Sequence, residues 1–169
     1  MNGKPFKRKE NERFSQGIHC FVNYWELKPS QYEAKLHELA LKGVKVVCTF
    51  IPWAHFETDI HHSLRKFLRA VHDTRLNVRL FVMPAAGVHY PNAGIPKDLV
   101  INVANLAVDR NGQLIHNRTA PNIFTLPSFS SPELLKAFGN YLLKLASVLI
   151  ETGRETKNRQ FFEDVGATG

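Results

Sequence analysis

The chain has 169 residues, is 44% apolar and 22% charged, and carries a net charge of +7. That composition fits one soluble globular domain with room for a real core and excludes a disordered polyelectrolyte. No apolar run approaches the roughly 18 residues of a membrane span, and the N-terminus has no apolar signal segment, so a cytoplasmic protein is expected.

The chain opens on a basic leader, residues 1–15, which holds Lys4, Lys7, Arg8, Lys9 and Arg13. The other basic residues are scattered mainly over predicted helix faces. Without a helix-turn-helix, zinc-finger or RNA-recognition signature, this charge predicts a solvated surface and no nucleic-acid partner. The domain proper is residues 16–169. Gly17 to Trp25 predicts a first strand whose aliphatic residues lead into Asn23, Tyr24, Trp25 and Glu26. Cys20 here and Cys48 in the next strand read as buried free thiols, in keeping with a reducing compartment.

Pro29-Ser30 starts a helix with Ser30 as N-cap and Glu33 three residues on, a capping-box pattern. Tyr32, Leu36, Leu39 and Ala40 form its buried stripe, and Gly43 ends it. Val44 to Ile51 is a short apolar, β-branched run bounded by Gly43 and Pro52, which predicts a buried strand. Past its end come Trp53, His55 and Glu57. A helix from Asp59 or Ile60 to Thr74 buries Ile60, Leu64, Phe67, Leu68 and Val71, and Asn77–Met83 predicts a third strand. Residues 84–131 are rich in Pro, Gly, Asn and Ser and form a loop far longer than usual, which points to function or disorder. Pro132 opens a last helix to about Glu151, with Leu134, Leu135, Phe138, Leu142, Leu145, Ala146 and Leu149 apolar. Phe161–Val165 is too short to assign.

The order βαβαβ, long loop, α predicts an α/β fold with parallel strands. Val22-Asn23-Tyr24-Trp25 stands where a dinucleotide fold has its glycine-rich turn, so the pattern favours the N-terminal portion of a (β/α)8 TIM barrel, three to four βα units long. Ligands bind at the carboxyl ends of such strands. An indole, an imidazole and a carboxylate released there suit a sugar, whose C–H face packs on a ring while its hydroxyls hydrogen-bond.

Three places from Val44 to Leu149 resemble the catalytic barrel of the β-galactosidase-type glycoside hydrolases, families 42 and 35 of clan A. Pro52-Trp53 followed by Glu57 is similar to a Pro-Trp…Glu element after their second strand. Met83-Pro84, Gly87 and Gly94-Ile95-Pro96 resemble the family 35 loop "RPGPY…GGLP". Val108-Asp109-Arg110-Asn111-Gly112, Arg118, Leu126-Pro127-Ser128 and Ser131-Pro132-Glu133 resemble the family 42 run "VD..G….R….CPNSP.Y". The resemblance implies a carbohydrate-active barrel of the retaining kind, which hydrolyses O-glycosidic bonds with two carboxylates about 5–5.5 Å apart. In those families the acid/base is a glutamate of an Asn-Glu pair ending strand four, and the nucleophile lies near strand seven. Here the one Asn-Glu pair is Asn11-Glu12, in the leader. No catalytic residue is therefore assigned.

The expected function is the substrate-binding N-terminal part of such a hydrolase, inactive alone. The alternative is a non-catalytic carbohydrate-binding or interaction half-barrel. The candidate substrate-binding residues each keep two readings. Trp25 and Trp53 are sugar platforms or barrel-mouth core aromatics. Glu57 binds a hydroxyl or caps the next helix. His89 and Tyr90, with Asn92, line a pocket or an ordinary loop. Arg118 holds a substrate oxygen or pairs with Asp109 or Glu133. His55, His61 and His62 lack the spacing of a metal set, and neither metal nor cofactor is expected. Open edges and uncovered strand faces predict a partner, either the rest of a barrel or further copies of the chain.

Overall fold

A computed structural model describes residues 17–59, 62–83, 90–118 and 123–156. The basic leader, Ile60, His61, His89 and Phe161–Val165 lie outside the described residues. Three strands, β1 (Ile18–Phe21), β2 (Val44–Phe50) and β3 (Asn77–Phe81), pair in parallel in the order β1-β2-β3. Helix α1 (Tyr32–Leu41) connects β1 to β2. Helices α2 (Trp53–Thr58) and α3 (His62–Asp73) connect β2 to β3. This is a mixed α/β fold on an open three-stranded parallel sheet.

The alternation of β2 decides which side chains meet the helices. Between Ile18 and His19 the register shifts by one residue, since Ile18 pairs with Val44 but His19 with Val46. The extra residue, Lys45, is a bulge that resets the pleat. Val44 and Val47 therefore both join the core, with Val78, Leu80 and Ile51. Gly17 accommodates the bulge, because a Cβ there would stand 2.9 Å from Lys45 Cβ. Against this face pack Tyr32, Leu36 and Leu39 of α1, and Leu64, Phe67, Leu68 and Val71 of α3. These are the stripes that the 3.6-residue period predicts.

The opposite face carries one phenylalanine from each strand. Phe21, Phe50 and Phe81 form a triangle with ring centroids 5.3–5.6 Å apart. Phe21 remains 56% exposed. Beside them lies Cys48, whose thiol is pushed up by burial, partly opposed by the Arg79 charge. Cys20 and Cys48 are both free thiols, Cys48 buried and Cys20 half-buried.

The structure differs from the predicted elements in several places, the first strand among them, which ends at Phe21 and not at Trp25. The Pro29-Ser30 start is a 3-10 turn, Pro29–Gln31, in which Gln31 Oε1 accepts from the Lys28 backbone N–H at 2.9 Å; Ser30 makes no cap. The predicted second helix is two helices. Thr58 Oγ1 donates to the carbonyls of Ala54 and His55, closing α2, and Asp59 then caps α3 through the Ser63 N–H at 2.6 Å. Trp53 and Glu57 consequently sit on a helix and not in a loop.

The long connection is also largely ordered. It holds a 3-10 turn (Pro91–Gly94), α4 (Lys97–Ile101), a second 3-10 turn (Val103–Asn105) and a two-stranded antiparallel ribbon, β4 (His116–Asn117) with β5 (Phe124–Thr125). Val108-Asp109-Arg110-Asn111-Gly112 is a tight turn. Asp109 Oδ1 accepts from the N–H groups of Asn111 and Gln113, and Gly112 takes φ +77°. Buried Asn105 ties the connection to the last helix, donating to Leu99 O and accepting from the Ser131 hydroxyl.

That helix, α5, runs Pro132–Glu155, with Pro132 in the first turn as predicted and Ser131 Oγ accepting from the Leu134 N–H. It continues past the expected end near Glu151. Thr152 Oγ1 donates back to Val148 O, and Glu151 and Glu155 pair with Arg65 and Arg69 of α3. Its core residues are Leu134, Tyr141, Leu145, Val148 and Leu149, whereas the predicted Leu135 and Leu142 face out with Leu143 and Ile150. Packing on α2 and α3 covers only one side of this helix, so Leu135, Leu143 and Ile150 stay exposed. Among the described residues no helix is long and apolar enough to cross a membrane.

Candidate functional site

The pairing of β1 with β2 continues one residue past β1, through Val22 N–H to Cys48 O at 2.9 Å, and Ile51 N–H reaches Phe81 O at 3.0 Å. Beyond these bonds the three chain segments diverge at the carboxyl ends of the strands. From the first comes a 3-10 turn, Tyr24–Glu26, whose entry is held by Asn23 Nδ2 donating to Glu26 Oε1 at 3.1 Å. Such a turn sends successive side chains about 120° apart. Tyr24 turns inward, stacked on Phe67 and buried, while Trp25 turns to the surface and is half-buried.

The second segment is α2. His55 projects from it against Tyr24, with ring centroids 5.5 Å apart and the planes edge-on. The third segment supplies Tyr90, 6.0 Å from Trp25 and 6.2 Å from His55, again edge-on. Four rings from three strand ends thus form one cluster, in which Trp25, His55 and Tyr90 are half-exposed. Tyr90 is held by an unusual turn: Asn92, Ala93 and Gly94 all have positive φ, of 51°, 55° and 81°. Two consecutive non-glycine residues in the left-handed region cost of order 1–2 kcal/mol each, strain of a kind that gathers at functional sites.

The polar groups of the cluster form a directed chain. The Asp59 carboxylate accepts both the backbone N–H and the hydroxyl hydrogen of Ser63. Ser63 Oγ also lies 3.2 Å from His55 Nε2. Burial lowers the His55 pKa below its ordinary value, and the Asp59 charge opposes that shift. The imidazole is thus neutral at pH 7.

Tyr24 adds the other half. Its backbone carbonyl accepts from the Tyr32 hydroxyl at 3.0 Å, but its own buried hydroxyl has no hydrogen-bond partner among the described residues. Burial raises its pKa well above the ordinary value, followed by the charges of Tyr141, Tyr32, Asp59 and Tyr90.

Of the residues singled out from sequence, Trp25 and Tyr90 come together. Trp53 does not join them. It is 3% exposed and stacked on Tyr141 at 5.5 Å, with Phe138 at 5.6 Å, and so leaves no ring face for a ligand. One residue of helix rotates by about 100°, so α2 sends Trp53 and Phe56 to the α5 interface and His55 to the cluster. Glu57 neither binds in the cluster nor caps a helix: Lys144 Nζ donates to both of its carboxylate oxygens, at 3.0 and 2.9 Å. Arg118 is exposed at the end of β4, and its expected partners are engaged elsewhere, Asp109 in its turn and Glu133 with Asn102 Nδ2. Asp59 and Ser63 are the members that sequence reasoning missed, whereas Tyr24 stands beside Trp25 in the run singled out after the first strand. The Asp59…Ser63 spacing of four is a signal for them, since it puts both groups on one side of a helix start.

Chemically the cluster offers ring faces for C–H groups, one neutral imidazole acceptor and one phenol donor. Its single carboxylate is already doubly hydrogen-bonded. No protein-family model matches the chain, and no curated protein matches it.

Proposed function

We propose that this chain is a carbohydrate-binding α/β unit, the N-terminal portion of a (β/α)8 barrel of the β-galactosidase-like kind. In this reading it supplies part of the substrate wall, and a partner polypeptide or the rest of a barrel supplies the acid/base and the nucleophile. The observation that carries the reading is the half-exposed Trp25–His55–Tyr90 group, drawn from the ends of three consecutive parallel strands. That is where an open parallel sheet or barrel receives ligands. Aromatic faces beside fixed polar groups are the chemistry that a pyranose ring requires.

The test uses the two tryptophans as reporters. Titration with galactosides and other oligosaccharides should quench the fluorescence of Trp25 and leave that of buried Trp53 unchanged. The response should vanish in Trp25→Phe and persist in Trp53→Phe. Quenching that follows Trp53, or none with any saccharide, removes the reading.

The second reading, a non-catalytic binding half-barrel, is favoured by the state of Glu57. A carboxylate engaged through both oxygens by Lys144 suits neither a proton donor nor a nucleophile. Under either reading the isolated chain should not turn over aryl β-galactosides. Turnover above the blank that Glu57→Gln abolishes would relocate the catalytic machinery to this chain.

A further inference from the structure

Helix α5 carries two apolar stripes, of which the fold uses one. Leu134, Tyr141, Leu145, Val148 and Leu149 are buried, whereas Leu135, Leu142, Leu143 and Ile150 are exposed, Leu143 by 71%. At about 100° per residue, these four fall with Gly139 and Ala146 in one sector of the helix about 100° wide. An unbroken stripe of this kind over four turns is a helix-packing face and not a scatter of surface leucines. Gly139 fits that reading. Glycine inside a helix is less favourable than alanine, yet a Cβ at Gly139 would meet nothing within 4 Å. Packing within the chain gives no reason for a glycine at this point, whereas the close approach of a second helix does.

The order along the stripe is palindromic. Leu135 and Ile150 stand at its ends, Gly139 and Ala146 inside them, and Leu142 and Leu143 at its centre. We propose that α5 pairs antiparallel with α5 of a second copy of the chain, across a two-fold axis between Leu142 and Leu143. Leu135 of one copy then shares a level with Ile150 of the other, Gly139 with Ala146, and Leu142 with Leu143. Small residues meet and let the backbones approach, while large ones fill the space on either side. Charge selects the direction. Glu133 and Lys136 are exposed near the start of the helix, and Glu151 and Arg154 near its end. Antiparallel pairing brings Lys136 towards Glu151 of the second copy and Arg154 towards its Glu133, whereas parallel pairing sets each against its like. Lys136 and Arg154 enter no ion pair among the described residues, and Glu133 and Glu151 engage Asn102 and Arg65 through one oxygen each. This surface is distinct from the open sheet edges and independent of the carbohydrate reading.

The experiment is oxidative cross-linking of the full chain carrying Cys20→Ser, with Cys48 left in its buried place. Leu143→Cys, beside the axis, should link two copies. Leu135→Cys should not link to itself, because its mate lies about 22 Å away along the helix. An equal mixture of Leu135→Cys and Ile150→Cys should link. Without oxidant, Leu143→Lys should weaken self-association at least about tenfold in light scattering over a concentration series. Unfolding of the same variant in dilute solution should match the wild type, since the core of each copy is complete without the contact. A monomer at every concentration overturns the proposal, and so does failure of Leu143→Cys to link. Self-linking of Leu135→Cys, or association unchanged by Leu143→Lys, overturns it as well. The carbohydrate reading stands in each case.

Discussion

His55 is where a single side chain reports on the site from within the fold. Its pKa is held below 6.5 by burial, with Asp59 pulling the other way. The unfolded chain therefore takes up this proton first. The resulting stability is fully present above the unfolded pKa and is lost as pH falls through about 6.5 towards the lower folded value. Urea midpoints taken between about pH 7.5 and about pH 5.5 should fall more steeply for the wild type than for His55→Gln. Equal slopes would mean that the imidazole is not held neutral. The two tryptophans make a second contrast. Trp53→Ala should cost about 3–5 kcal/mol, because a fully packed indole leaves a cavity between α2 and α5. Trp25→Ala should cost much less and act on ligand binding. Chemical denaturation of the two variants separates core from platform.

At the scale of elements, α5 is the support on which the site is assembled. Its Tyr141 hydroxyl donates to Ile51 O at 3.0 Å, satisfying the carbonyl at the point where β2 gives way to α2. Burial holds that phenol protonated, so the bond persists at all ordinary pH values. Tyr141→Phe leaves a buried carbonyl without a donor and should cost about 1–3 kcal/mol, measured by urea unfolding. At the start of α5, Ser131 does two jobs, capping the helix through Leu134 N–H and donating to Asn105. Ser131→Ala should cost about 1 kcal/mol or somewhat more, since the cap is lost and Asn105 loses a partner as well. Exposed Leu143→Lys, by comparison, should be close to neutral.

Across the whole molecule the apolar surface is unevenly covered. The helices protect one face of the sheet. Phe21, Phe50 and Phe81 mark the other, and Leu135, Leu142, Leu143 and Ile150 lie open on α5. Both β1 and β3 end the sheet with unpaired edges among the described residues. Parallel sheets are ordinarily covered on both faces, and open edges invite a further strand. The chain should therefore elute as a dimer or larger species. Light scattering coupled to size exclusion should give a mass well above 19.2 kDa, and Phe21→Asp should lower it. A sharp monomer with cooperative melting would indicate a self-contained domain and count against the half-barrel reading.

Much of this architecture is legible in one dimension. The stripe Leu64, Phe67, Leu68 and Val71, the β-branched run of β2 and the Ser131-Pro132 helix start are patterns between neighbours in the chain, and short-range sterics and hydrogen bonding suffice to make them. Sequence also singled out Trp25 and Tyr90, whose rings the fold brings 6.0 Å apart. Of the two readings kept for Trp53 the fold gives the core aromatic, and it turns Glu57 to Lys144. Where a six-residue helix such as α2 starts decides which side of it faces the core, and that start is set by Pro52, by Thr58 closing the end and by the bulk of Tyr141 beyond. The ring cluster joins residues 24, 25, 55 and 90, which no local period connects. The direction of the Asp59–Ser63–His55 chain and the stranded Tyr24 hydroxyl depend on which polar groups end up within hydrogen-bond reach. Only the packing of α1, α2 and α3 on a shared sheet face decides that, because burial removes the water that would otherwise satisfy them all.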